Sequence, residues 1–258
     1  MSDLLRGSRP LREQVADKIR QLIEDAELPP GARLDREDVL AERYRVSRHT
    51  IRQALQDLAA EGLLESSRGQ GRRVRSYKPL TWHLSAYESR RHHIEAGQPE
   101  ADQWDTEVRE QGREPRQDVE VAIVKPTPHV AERLQLSGDG ELIVMRRRIR
   151  RADGVPVQLA DSFFRESLVH GTLLMSPENV SAPGGILAAI GHPQARYRDE
   201  IAIRMPTKAE ASILELPPGT PVAEVTRTGY GQDGSPLRVM VTIAPGDRNT
   251  LVYETDAT

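Results

Sequence analysis

"RYRVSRHTIRQALQDLAAEGLLESSRGQGRRV", residues 43–74, concentrates positive charge in a chain whose formal net charge is −3. Four arginines and no acid lie between Arg43 and Gln56, and five basic residues and no acid lie between Ser66 and Lys78. Up to Lys78 the chain has 16 basic and 13 acidic residues, whereas the remainder has 20 and 26. A basic front and an acidic back indicate different partners for the two parts, with a polyanion bound by the front. An ordinary solvated helix face is the alternative explanation of such charge runs.

The first half of this stretch predicts a helix whose two faces differ in polarity. Ser47 is a suitable N-cap after a tight turn at Arg45 and Val46. A buried stripe is predicted from apolar residues at helical spacing, namely Val46, Ile51, Leu55 and Leu58. The opposite face carries side chains that can hydrogen-bond base edges or phosphates, namely Arg48, His49, Arg52, Gln53 and Gln56.

Two further helices are predicted upstream. The first begins at Pro10 and ends before the turn at residues 29–31, and its apolar face comprises Leu11, Val15, Ile19, Leu22 and Ile23. The second is expected to begin at Asp35 as N-cap and to end near Tyr44, with Val39 and Leu40 directed inward. The second and third helices, joined by a short turn, form the helix-turn-helix arrangement.

A two-stranded ribbon is predicted after Gly62, where the third helix ends. The segments "LLESS" and "RRVRS" form its strands, and its tip extends from Arg68 to Arg72. Glycines would let the tip approach a nucleic-acid backbone closely, and its arginines would neutralise phosphates or enter a minor groove.

Residues 10–75 resemble the winged helix-turn-helix of GntR-type bacterial transcription regulators. The elements "VSRHTIRQAL" and "L..EGLL....GQG..V" carry the resemblance. It implies DNA contacts by the third helix and the wing, and the full predicted DNA-binding set is Arg36, Ser47, Arg48, His49, Thr50, Arg52, Gln53, Arg68, Gly69, Gln70 and Arg72. Where the family commonly has "LPSER", with its arginine on DNA, this chain has "LDRED". Asp38 takes that arginine's place, and Arg36 is the candidate to replace it.

An internal repeat marks the back half. Residues 120–160 align without a gap with residues 200–240, and about a dozen of the 41 positions are identical. The coincident pairs include Thr127/Thr207, Leu134/Leu214 and Asp153/Asp233. Each copy predicts a strand, a short helix, a strand, a hairpin turn and another strand. Two copies predict a mainly antiparallel sheet with helices on one face, an α+β fold.

The back half resembles the ligand-sensing UTRA domain of the HutC subfamily, which is similar in fold to chorismate lyase. The motifs "A.RL.L..G..........R.ADG.PV" and "DGSPL.......GDR" carry this resemblance. It implies dimerisation and a small-molecule pocket between the repeats, with the candidate effector-binding residues Arg148, Arg150, Ser162 and Arg238. Carboxylates expected in sugar-phosphate sensors are Ala160 and Arg238 here, and an expected tyrosine is Ala244, which favours a more anionic or more hydrophobic effector. The alternative for "RRRIRR" is an exposed edge strand whose charges prevent aggregation.

Composition sets the outer limits of the prediction. The chain has no cysteine, which excludes a disulfide scaffold and a thiolate metal site. No apolar run approaches the roughly 20 residues of a membrane span, and the polar start lacks a signal-peptide core, so a cytoplasmic protein without a membrane partner is predicted. "HHIE", residues 92–95, is interpreted as a solvated linker segment, because adjacent histidines point to different sides and no third ligand cluster is evident. No metal and no cofactor are predicted.

The sequence therefore predicts three segments: a DNA-binding domain over 8–76, a linker over 77–100, and an effector-binding and dimerisation domain over 101–254. The predicted function is a dimeric transcriptional regulator, a repressor, that binds a pseudo-palindromic DNA operator and responds to a small anionic effector, phosphorylated or carboxylate. Two alternatives remain at this point. One is a constitutive DNA-binding factor with a decayed pocket, and the other is a lyase-like enzyme that also binds DNA, against which no nucleophile–base pair or phosphate loop is found in the back half.

Overall fold

A computed structural model describes residues 9–67, 71–76, 78–85, 103–138, 140–180 and 185–255. The chain divides into two compact units. The first comprises residues 1–78 with 217–220, and the second comprises residues 79–216 with 221–258. Each unit has its own apolar core.

The first unit contains three helices and a β-ribbon. Their bounds are α1 Leu11–Glu24, α2 Glu37–Tyr44, α3 Arg48–Ala60, β1 Leu64–Ser67 and β2 Gly71–Val74. The backbone of residues 31–34 hydrogen-bonds to β2, with Leu34 N donating to Arg72 O and Val74 N donating to Ala32 O. The ribbon is thereby fastened to the segment that leads into α2. The core of this unit is formed by the apolar stripes of the helices together with both strands, and it includes Val15, Ile19, Leu40, Ile51, Leu55, Leu58, Leu64 and Val74.

The start of α2 differs from the prediction in two respects. Arg36, and not Asp35, occupies the N-cap position, and no side chain caps the helix. The carboxylate of Asp35 instead pairs with Arg43, one helix length away. Val39, expected to point inward, is 44% exposed, because only Leu40 and Tyr44 of this short helix reach the core.

The second unit is built on a six-stranded antiparallel sheet. The elements around it are β3 Leu80–His83, α4 Gln103–Glu110, β4 Pro115–Val124, α5 Pro128–Arg133, β5 Ile143–Ala152, β6 Val155–Arg165, α6 Glu166–Val169, β7 Arg196–Arg204, α7 Lys208–Ile213, β8 Val222–Tyr230, β9 Pro236–Pro245 and β10 Asn249–Val252. The sheet order is β4-β5-β6-β9-β8-β7, and β3 pairs in parallel with β10 as a separate ribbon. Part of the segment predicted as linker is therefore a strand of this unit.

The predicted repeat is a structural pseudo-twofold. Asp161 of β6 pairs with Val241 of β9, and 241 − 161 = 80 is the offset of the sequence repeat. The axis therefore passes between these two residues, and β4-β5-β6 corresponds to β7-β8-β9. The turns after α5 and α7 also correspond, since Gln135 and Glu215 both adopt a left-handed backbone, with φ of 53° and 51°.

Helices α5 and α7 pack on one face of the sheet, as predicted. Leu134, after α5, packs with Ile143 and Val239, and Leu214, after α7, packs with Leu159 and Ile243. The opposite face is also covered: Trp82 of β3 packs on β8 and β9, and the α6 region packs on Val144 and Phe164. The central strands of the sheet are thus covered on both sides, while the edge strands β4 and β7 remain partly exposed.

The two repeat-related helix starts predict unequal costs of losing their caps. The Oγ1 of Thr207 accepts from Glu210 N at 3.2 Å, and Glu210 Oε2 accepts from Thr207 N at 2.7 Å, a capping box. Thr127 has a single bond, from Val130 N at 3.4 Å. We expect Thr207→Ala to lower the free energy of unfolding by about 1 kcal/mol and Thr127→Ala by about half as much. Urea unfolding of both variants checks this, and equal losses would contradict it.

Candidate nucleic-acid interface and effector site

The start of α3 is fixed by local side-chain bonds. Arg45 ends α2 in a left-handed conformation, with φ of 56°, which turns the chain sharply toward α3. Ser47 Oγ accepts from Thr50 N at 3.1 Å and lies 2.8 Å from Thr50 Oγ1. The predicted cap is confirmed. In this structure the hydroxyls of Ser47 and Thr50, both predicted as DNA-binding, bond to each other at the helix start.

The outward face of α3 presents the predicted base-reading residues together. Arg48, His49 and Arg52 are exposed and Gln53 is partly exposed, while the other side of the helix is buried in the core. Spacings of three and four place these four side chains on one face. Such a face, about one helix wide, is the form that fits a major groove.

Two acids of α2 pair with the arginines of this face, which the sequence interpretation missed. Arg52 Nη2 lies 3.0 Å from Glu37 Oε2, and Arg48 Nη2 lies 3.5 Å from Asp38 Oδ2. The hydrogen bond to Glu37 raises the pKa of Arg52. Arg36, with 83% of its side chain exposed, is 3.3 Å from the same carboxylate of Asp38. The one sequence signal for these pairs was Asp38 at the position of the family's arginine. Which arginine it would pair with could not be predicted, because the pairing depends on how α2 and α3 pack.

Arg72, a predicted wing contact, is less exposed than its predicted place in the tip implied. Arg72 lies within β2 and not in the tip, opposite Ser66, and is half-buried. Burial lowers the pKa of its guanidinium, while the nearby Glu37 raises it. Arg68, Gly69 and Gln70, the other predicted wing contacts, lie outside the described residues.

In the second unit, arginines form one face of the sheet. Arg146, Arg148 and Arg150 alternate along β5 and are all buried. Residues directly opposite one another in antiparallel strands share a face. Arg146 is opposite Ser162 on β6, and Ser162 is opposite Met240 on β9, two residues from Arg238. This arginine face thus brings all four predicted effector-binding residues to the same side of the sheet.

The edge-strand alternative for "RRRIRR" is wrong. β5 lies between β4 and β6, and Arg146 is 0% exposed. Arg147, on the opposite face, forms a bidentate pair with Asp161 at 2.9 and 2.7 Å. The alternation of this strand thus places Arg147 on the face opposite to that of Arg146, Arg148 and Arg150.

The arginines of this face have different hydrogen-bond partners. Arg227 of β8 is opposite Met240 and so belongs to the same face, and it is paired bidentately with Asp199 at 2.7 and 2.6 Å. Arg150 donates to the amide oxygens of Gln117 and Gln158 at 3.2 and 3.1 Å and lies 5.3 Å from the centre of the Trp104 ring. Arg150 is therefore oriented by neutral groups, which leaves its charge uncompensated by these contacts.

Arg238 is another cation of this face whose hydrogen-bonding groups are incompletely paired. Its Nε is buried without a hydrogen-bond partner among the described residues, and Nη2 makes only a 3.4 Å contact to the sulfur of Met240. Burial, together with the neighbouring charges of Arg227 and Arg150, lowers the pKa of Arg238 to about 10, against the opposing effects of Tyr197 and Asp199. A buried cation in this condition favours the binding of an anion.

Two other kinds of feature are absent from the part of the chain that the structure describes. Within the described residues no group of three or more His, Cys, Asp or Glu side chains could hold a metal ion, and residues 92–95 lie outside them. In the same part of the chain, no helix is long and apolar enough to cross a membrane.

Family comparisons agree with this division of the molecule. Residues 11–74 match the model of the bacterial regulatory proteins of the gntR family, and residues 110–250 match the UTRA domain. The second match covers more than half of the chain. The chain is a GntR-family regulator with a UTRA domain. This GntR–UTRA order is the HutC-type architecture expected from the sequence.

Individual relatives extend over nearly the whole GntR–UTRA chain. The HTH-type transcriptional regulator Rv0792c of Mycobacterium tuberculosis is 31% identical over 92% of this chain and 82% of its own length. The HTH-type transcriptional repressor NagR of Bacillus subtilis is 27% identical over 96% and 95%. The crystal structure of PhnF from Mycobacterium smegmatis has the same fold, with a TM-score of 0.58, 20% identity, and coverage of 95% and 100%.

Membership assigns the general function. The protein is a transcriptional regulator with a DNA-binding helix-turn-helix domain and a UTRA effector-binding domain, and GntR-family regulators bind DNA operators and small-molecule effectors. The lyase-like alternative is excluded by this membership, since the family and the matched relatives are regulators and not enzymes.

Proposed function

We propose that this GntR–UTRA regulator is a dimeric repressor that releases or binds its operator in response to a small anionic effector. The observation that supports the effector chemistry most directly is Arg238, a partly buried residue whose Nε is buried and lacks a hydrogen-bond partner among the described residues. Arg148 and Arg150 are buried on the same face of the sheet. A carboxylate or phosphate suits such a face, because the arginine fork binds either group bidentately.

The DNA contacts in this proposal are made by α3. Arg48, His49, Arg52 and Gln53 would enter the major groove, and the wing would follow the adjacent backbone. A dimer would present two copies of α3 to a pseudo-palindromic operator, since the twofold axis of a dimer matches that of its site. The repressor assignment draws support from the name of one relative, the repressor NagR. The domain limits of 8–76, 77–100 and 101–254 are part of the same proposal.

Coupling between the two sites follows from linkage. If the effector weakens operator binding, the operator must weaken effector binding by the same factor. A typical allosteric coupling is about 1–3 kcal/mol, or roughly 5–150-fold in affinity.

A thermal-shift screen against anionic metabolites tests the effector proposal, with Arg148→Ala as the matched variant. A ligand at about 100 times its dissociation constant should stabilise the folded chain by about 2.7 kcal/mol, which raises the melting temperature measurably. The proposal requires a hit that Arg148→Ala loses. Arg147→Ala, on the opposite face of the same strand, should keep the response. A broad panel without a hit would instead favour a constitutive DNA-binding factor.

A further inference from the structure

The base-reading surface of α3 contains its own acids. Glu37 and Asp38 occupy the first turn of α2, and their carboxylates contact Arg52 and Arg48 respectively. Arg36 shares the carboxylate of Asp38. All three arginines are exposed, so these are surface ion pairs.

One of the two carboxylates, that of Glu37, also acts on the wing. The charges of Glu37 and Arg52 both act on the guanidinium of Arg72 in β2. Glu37 therefore lies where α2, α3 and the wing converge, and Asp38 lies beside it on the side of Arg36 and Arg48. A duplex docked on this surface would bring its phosphates near both acids.

Two modes of DNA binding would respond differently to these acids. A phosphate contacted without base readout draws the arginines away from the carboxylates and leaves two anions beside the negatively charged backbone. In an operator complex, the edge of a guanine offers two acceptors to an arginine. These acceptors can take the place of the carboxylate, because they match both arms of the guanidinium, which the phosphates of the backbone do not do in the same way. Exposed ion pairs are weak, so a good base contact can compete with them.

We propose that Glu37 and Asp38 are specificity-determining residues that penalise non-specific DNA binding by holding Arg52 and Arg48 in ion pairs until a matching base edge replaces them. The proposal rests on the placement of α3 in the major groove given above. It assigns a role to Asp38 at the position where the family commonly has a DNA-contacting arginine. Operator selectivity would then come partly from repulsion, a recognised route to specificity.

The test compares the parent with Glu37→Gln/Asp38→Asn on two duplexes. One is the sequence enriched by the parent protein from a random duplex library, and the other is its scrambled version. In fluorescence anisotropy titrations over a range of salt concentrations, we expect affinity for the scrambled duplex to rise about tenfold and affinity for the selected duplex by less than about threefold. The salt slope on the scrambled duplex should become steeper, because the freed arginines contact more phosphates.

A charge-matched control separates a local effect from net charge. Glu24 and Glu42 are exposed acids of the same unit, and no ion pair involves either of them within the described residues. Glu24→Gln/Glu42→Gln should raise affinity for both duplexes equally, by less than about twofold. Thermal melting confirms folding, and the single variants Glu37→Gln and Asp38→Asn serve if the double variant does not fold.

Three results would overturn the inference. If affinity rose equally for both duplexes, the acids would act only through the net charge of the surface. If affinity fell for the selected duplex alone, the acids would be direct base contacts. Enrichment of no duplex by the parent would overturn the placement of α3 as well, and that outcome is distinguishable because the parent itself then shows no binding.

Discussion

Replacing Arg48 and Arg52 together by alanine should lower operator affinity by about 2–6 kcal/mol, since each good bidentate base contact contributes about 1–3 kcal/mol. Both side chains are exposed on α3, at 64% and 58%, so their removal should leave the core undisturbed. The loss should be much smaller on a scrambled duplex, where only phosphate contacts are made. Anisotropy titrations on the selected and scrambled duplexes measure both quantities.

A control for lost charge lies on α1 of the same unit. Arg12 and Lys18 are exposed, and Arg12→Ala/Lys18→Ala removes two charges from α1. Arg12 pairs at 3.9 Å with Asp57, which lies in the last turn of α3 and is not one of the predicted base-reading residues. This control should bind the operator within about twofold of the parent, because distant surface charges are largely screened. If Arg48→Ala/Arg52→Ala binds the operator as the parent does, α3 is not the reading helix.

The DNA-binding unit could be predicted closely where the signals are local. The apolar stripe of α3 and the Ser47 cap depend on residues three and four apart, and the observed helix Arg48–Ala60 begins directly after that cap. The start of α2 could not be fixed in this way. Asp35 is a good cap by type, but its carboxylate pairs with Arg43, a competition set by folding and not by neighbouring residues.

In the effector unit, the sequence pattern predicts the elements but not the contacts between them. The repeat predicted the order of strands and helices, because both copies carry the same turn and cap residues. The strand "RRRIRR" has arginine on both faces, so polarity alternation could not say which face is buried. Arg147 finds Asp161 and Arg150 finds Trp104 only through contacts between separate elements. Such contacts leave no periodic trace in the sequence.

Replacing Arg238 by methionine should stabilise the effector-free protein and abolish its response to an effector. A packed apolar side chain removes the cost of a poorly compensated charge, and replacing buried ion pairs by apolar residues can raise the free energy of unfolding by about 1–4 kcal/mol. The same desolvation of the charge lowers the pKa of Arg238 to about 10. The stabilisation of about 2.7 kcal/mol given by effector at 100 times its dissociation constant should disappear. Urea unfolding and thermal shifts measure the two effects separately.

Arg146→Met is the matched control, with the opposite expected sign. Arg146 lies on the same face and is fully buried, but its guanidinium donates to the carbonyl oxygens of Leu174, Ser176 and Glu178 at 2.6, 2.5 and 2.8 Å. Its loss leaves buried acceptors unsatisfied, at about 1–3 kcal/mol each, so stability should fall by about 3 kcal/mol or more. If Arg238→Met also destabilises the effector-free protein, Arg238 is a structural residue of the sheet. If that variant keeps the effector response, the anion is held elsewhere on the arginine face.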